Sequence, residues 1–140
     1  MKENGLNWTV ASAGTESYHI GEAPHRYSQK ICMAHGIDIS DFRASKFLAA
    51  DFENYDLIYA MAGDVYEEIS RIGGRFADME KVDYFLNELY RSAGSGSGIE
   101  VNASVPDPYY GAEEGFLEVY EMINKTCDAI IANYKNKNYV

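Results

Sequence analysis

Hydrophobic positions along this chain change their period in a regular order, and that order predicts alternating strands and helices. Residues 8–13 (WTVASA) hold Trp8 and Val10 on one side and end in small residues before Gly14, the pattern of a short strand running into a loop. From Pro24 to His35 the apolar positions Tyr27, Ile31 and Ala34 follow helical spacing; Pro24 suits a first helical turn and Gly36 the position just past the end. Leu57-Ile58-Tyr59-Ala60-Met61 is a continuous apolar run too short for a typical helix, so it reads as a strand buried on both faces. Residues 64–72 then set Val65, Ile69 and Ile72 on one side and close at Gly73-Gly74, a second helix. Val82-Asp83-Tyr84-Phe85-Leu86 reads as a third strand. The clearest helix comes last: Phe116, Val119, Tyr120, Ile123, Cys127, Ile130, Ile131 and Tyr134 share one face, with Glu113 and Glu114 in the first turn and Lys135 and Lys137 near the end.

The order β-α-β-α-β-α calls for a parallel sheet with helices on its faces and right-handed crossovers. Two segments fit a compact domain poorly. Ser92-Ala93-Gly94-Ser95-Gly96-Ser97-Gly98 is linker-like and can bury nothing; it is either a flexible surface loop or an engineered insertion. Lys2-Glu3-Asn4-Gly5-Leu6-Asn7 reads as the last turn of a helix stopped by Gly5, with hardly any helix before it, which suggests a chain that starts partway through a fold.

At 140 residues with 46% hydrophobic and 14% aromatic residues, the chain has material for one core, and residues 1–140 are read as a single domain. A net charge of −10 without a Lys/Arg cluster argues against nucleic acid as a partner, because a phosphate backbone would be repelled. No run of 18 apolar residues and no apolar stretch behind Met1 are present, so no membrane association and a soluble, cytoplasmic protein are expected. Cys32 and Cys127 have no metal-like spacing and read as reduced structural thiols.

Chemistry first enters at Val105-Pro106-Asp107-Pro108-Tyr109-Tyr110-Gly111. Two prolines pin the backbone on either side of Asp107, presenting one carboxylic acid on a stiff loop that could protonate a leaving oxygen; the same sequence is also an ordinary turn before a helix. Tyr109 and Tyr110 could wall an aromatic pocket. Ser12-Ala13-Gly14-Thr15, followed by Tyr18-His19-Ile20-Gly21, stands at the carboxyl end of the first predicted strand, where open α/β sheets bind ligands. His19, His25 and His35 share no metal-ligand spacing, and exposed or helix-terminal positions are expected for them.

These segments, together with Cys32-Met33-Ala34-His35-Gly36-Ile37 and Asp51-Phe52 ahead of Tyr55-Asp56-Leu57-Ile58-Tyr59-Ala60-Met61, stand in the order and spacing of the low-molecular-weight protein tyrosine phosphatases. The resemblance runs from about Asn7 onward, and Asp107-Pro108-Tyr109-Tyr110-Gly111 is its most specific part. It implies a three-layer, flavodoxin-like α/β fold. It also implies phosphotyrosine hydrolysis through a cysteinyl-phosphate, on a phosphotyrosine protein or small aryl phosphate, with no metal or cofactor. By the same resemblance Asp107 is the general acid, Tyr18 and Tyr109 wall the aromatic pocket with Tyr110 beside them, and Ser12 supports the phosphate loop. The matching helices are residues 24–35, 64–72 and 112–134.

The chain also departs from the family. The family's nucleophile heads a loop of Cys, five residues, Arg and Ser/Thr, where backbone N–H groups and the Arg bind phosphate and lower the thiol pKa. Six positions beyond Cys32 stands Asp38, and six beyond Cys127 stands Asn133. Neither cysteine heads such a loop, and the family's first strand and most of its first helix find no counterpart in the sequence. Smaller departures are Ala62, where many relatives carry Asp, and Asp41, near where some carry His. The chain as it stands is therefore expected to be inactive. The family's first strand is central in its sheet, so the segments matching 8–13 and 57–61 are expected either to pair directly or to receive a second chain by strand exchange or homodimerisation. Three readings stay open: a phosphatase whose Cys-to-Arg loop is encoded upstream, a pseudo-enzyme binding a protein partner, and an edited scaffold.

Overall fold

The computed structural model describes residues 7–17, 19–92, 104–107 and 113–135. Its first helix, α1 (Arg26–Ala34), begins where the His25 ring accepts from the Tyr27 N–H at 3.1 Å. This cap moves Pro24 out of the expected first turn to the position before it. There its carbonyl accepts from Gln29 Nε2 at 2.7 Å. The other end closes as a Schellman turn: Gly36, at φ +79°, and Ile37 donate to Met33 O and Cys32 O, each at 2.9 Å.

A short helix, α2 (Asp51–Asn54), leads to strand β1 (Ile58–Ala60), then α3 (Gly63–Gly73), two single 3₁₀ turns, and strand β2 (Val82–Tyr84). β1 and β2 pair in parallel, with Ile58 opposite Val82 and Ala60 opposite Tyr84, and α3 is the crossover between them. Alternation along β1 sorts the core into two. Ile58 and Ala60 join Phe47, Phe52, Ile69 and Val82 on one face, against α2 and α3. Tyr59 joins Phe85, Leu86, Ile130 and Trp8 on the other face, against α5 (Glu113–Lys135). Helices thus cover both faces, the three-layer arrangement expected. α1 lies on α5 through ring stacking at both of its ends, His25 on Phe116 with centroids 4.5 Å apart and His35 on Tyr120 at 4.4 Å.

Three expectations need correction. Residues 8–13 form no ladder: just beyond them Gly14 makes a parallel bridge to Lys46, and Val10 is 71% exposed. A strand exists only against a partner, and among the described residues 8–13 is hydrogen-bonded into no ladder, with β1 paired to β2 instead, so the expected direct pairing of 8–13 with 57–61 is not seen among them. The third strand ends at Tyr84, two residues early, because the Glu88 N–H turns back onto Phe85 O. Helix α4 (Asn87–Ser92) follows, and six residues are too few to display a helical period. The Gly/Ser stretch at 93–98 and the helical tail expected at 2–5 lie outside the described residues.

Candidate functional site

Two loops and one tether build a cavity on the surface. The loops 12–22 and 39–46 are stitched by backbone hydrogen bonds. Gly14 donates to Ser45 O at 2.8 Å and accepts from the Phe47 N–H at 2.7 Å; Gly21 donates to Ala44 O at 2.7 Å; Ala44 returns a bond to Glu22 O at 2.8 Å. Gly21 stands at φ +83°, a conformation glycine adopts without Cβ strain. The Ser45 hydroxyl adds a bond to Ser12 O at 3.4 Å. Opposite, Val105 donates to Met61 O at 2.7 Å and Ser104 Oγ accepts from the Gly63 N–H at 3.1 Å, so the segment carrying Asp107 is tied to the carboxyl end of β1.

The resulting cavity, about 410 Å³, is lined by Ser12, Gly14, Thr15, His19, Arg43 and Asp107, with Glu16 and Ile20 among the other walls. Ser12 and Asp107, distant in sequence, therefore open on one space. Tyr18, Tyr109 and Tyr110 lie outside the described residues. His19 pairs through Nδ1 with Glu22. Arg43 reached this site without any sequence signal, since a lone basic residue in a polar loop resembles any solvated one.

The cysteines stand apart from this cavity. Cys32 sits on α1 and Cys127 on α5, both partly buried, and burial pushes both thiols upward, Cys127 further by the neighbouring Asp128 carboxylate. A raised thiol holds its proton near neutrality and is a poor nucleophile, which agrees with a structural role. Among the described residues no three His, Cys, Asp or Glu side chains cluster closely enough to hold a metal ion, and no helix is long and apolar enough to cross a membrane.

A second polar assembly was missed by the sequence reading. Glu88 on α4 is fully buried; the Tyr59 hydroxyl donates to its carboxylate, and Asn133 Nδ2 donates to Glu88 O at 2.9 Å and to Oε1 at 3.2 Å. The available signal was Asn133 itself, one helical turn beyond Ile130 on the apolar face of α5.

A parallel α/β unit with helices on both faces, and a cavity walled by a serine loop and by a carboxylic acid whose segment is tied to the carboxyl end of β1, defines the general class of an α/β ligand-binding domain. Comparison with known proteins narrows the class. The family model for low molecular weight phosphotyrosine protein phosphatase matches residues 1–139. The low molecular weight protein-tyrosine-phosphatase of Streptomyces coelicolor is 31% identical over 134 residues, covering 94% of this chain and 77% of that protein. A Staphylococcus aureus relative of the same description, PtpA, is 33% identical over 122 residues, 87% of this chain and 70% of its own. Among solved structures, a protein tyrosine phosphatase from Entamoeba histolytica superposes with a TM-score of 0.72 at 29% identity, over 91% of this chain and 76% of that one. A low molecular weight phosphotyrosine phosphatase from Vibrio cholerae shares the fold with a TM-score of 0.79, over 99% and 83%, at 22% identity. The chain belongs to the low molecular weight phosphotyrosine protein phosphatase family.

Proposed function

We propose that the cavity between Ser12 and Asp107 is part of a phosphotyrosine monoester site, and that the 140-residue chain by itself does not turn over its ester. The observation that carries the reading is the convergence of Ser12 and Asp107 on one cavity, with the segment of Asp107 tied to the carboxyl end of β1, in a chain of this family. In this role the Asp107 carboxyl protonates the tyrosine oxygen as the phosphorus–oxygen bond breaks, and its carboxylate then activates water. Ser12 steadies the phosphate-binding side, and Tyr18, Tyr109 and Tyr110 flank the aryl ring. A cytoplasmic setting accompanies this reading, with two unpaired cysteines in its favour.

Turnover depends on a nucleophile and on positioned positive charge, and the 140 residues contain no Cys-x₅-Arg loop to provide them. Incubation with p-nitrophenyl phosphate is expected to release no nitrophenol above background. Hydrolysis at a family-like rate that disappears in Asp107→Asn would overturn the inactive reading. An in-frame Cys-to-Arg loop in the codons just upstream would instead make the natural protein a tyrosine phosphatase.

One observation favours a second, non-catalytic reading: residues 8–13 form no ladder and leave Val10 exposed, as expected of a segment that takes up a strand from another chain. In sedimentation this reading expects a dimer. A monomer with slow amide exchange throughout 8–13 removes it.

A further inference from the structure

We propose that Arg43 is a phosphate-anchoring residue of the Asp107 cavity, giving this chain an oxyanion fork from the 39–46 loop that takes the phosphate of an aryl phosphate. The inference rests on the reading that this cavity is the phosphate-ester site. Arg43 Nη1 donates to two backbone carbonyls, Ser40 O and Phe42 O, each at 2.7 Å. These bonds occupy one nitrogen and hold the plane of the guanidinium. The opposite edge, Nε–H with Nη2–H, is the side-on fork whose spacing matches two oxygens of a phosphate. No carboxylate among the described residues pairs with Arg43.

The rest of the lining orients the ligand. His19 is engaged by Glu22, so the charge available to an incoming anion comes from Arg43. Glu16 and Asp107 also line the cavity and repel a dianion, which leaves Arg43 as the lining group that attracts one. Ile20, 52% exposed, gives the aryl ring an apolar wall.

The test is a titration of the ¹⁵N-labelled 140-residue chain with phenylphosphonate, which has no hydrolysable ester bond, at low ionic strength. Expected are saturable shifts of the amides at 12–15 and 43–45 and of the Arg43 Nε–H. Arg43→Gln is expected to weaken binding about 10-fold, the scale of a lost charge-assisted hydrogen bond. Arg43→Lys, which keeps the charge but not the fork, is expected to fall between. Affinity unchanged in both variants overturns the role of Arg43 while leaving the cavity in place as the site. Saturable shifts confined to residues outside the cavity overturn the cavity reading as well, and a titration without saturable shifts overturns the proposed phosphate binding.

Discussion

Phe52→Ala is expected to destabilise the fold by about 3–5 kcal/mol, the range for truncating a large buried aromatic. Phe52 is 2% exposed and lies edge-on to Phe47, with ring centroids 5.6 Å apart. Its ring also covers the backbone of Gly73: a Cβ built on that glycine would meet Phe52 Cε2 at 2.5 Å. The ring therefore fills the space between α2 and the end of α3, and removing it leaves a void bordered by helix backbone that relaxes only partly. Thermal unfolding checks this. For a domain of this size each kcal/mol lowers Tm by about 3–4 °C, so a fall on the order of 10 °C or more is expected. A loss under about 1 kcal/mol would show that Phe52 does not hold these helices together.

Asn133→Leu is expected to cost about 3 kcal/mol by a different route. The new side chain is similar in volume, but two donated hydrogen bonds to Glu88 disappear, one to its backbone and one to its carboxylate, at a position with no access to water. The buried Glu88 carbonyl and Oε1 each lose this donor, at a desolvation cost that the Tyr59 bond to the other carboxyl oxygen offsets only in part. Combining Glu88→Leu with Asn133→Leu should cost less than the sum of the two single losses, because the Asn133–Glu88 pair is then apolar on both sides and only the Tyr59 hydroxyl loses its acceptor. Chemical denaturation of the two single variants and the double variant measures the coupling. Strictly additive losses would show that the pair is not a unit.

Periodicity made much of the fold legible before any coordinates. The runs that became β1, α3, β2 and α5 are local patterns whose hydrophobic spacing survives folding, and their ends agree with the structure to within one or two residues, the early end of β2 included. α1 stopped where Gly36 required it, since a positive φ after the last turn is a local property of one residue. Residues 8–13 look like a strand in sequence and are not one here, because a ladder is a property of two segments and only one of them is identifiable in isolation.

The candidate site divides along the same line. Asp107 was legible because two prolines announce a stiff loop, and Ser12 because a small-residue loop follows an apolar run; their convergence was not, since it depends on Val105 bonding to the end of β1. Arg43 and Glu88 were invisible for a related reason. Nothing local distinguishes a guanidinium pinned at a cavity from one in solvent, or a carboxylate buried between two helices and a strand from one on a surface. Residue type and spacing carried the elements from α1 onward, the family resemblance and the lack of a Cys-x₅-Arg spacing within these 140 residues. Which polar groups share a space and which strands find a partner emerges on folding, because burial and pairing arise between segments far apart along the chain.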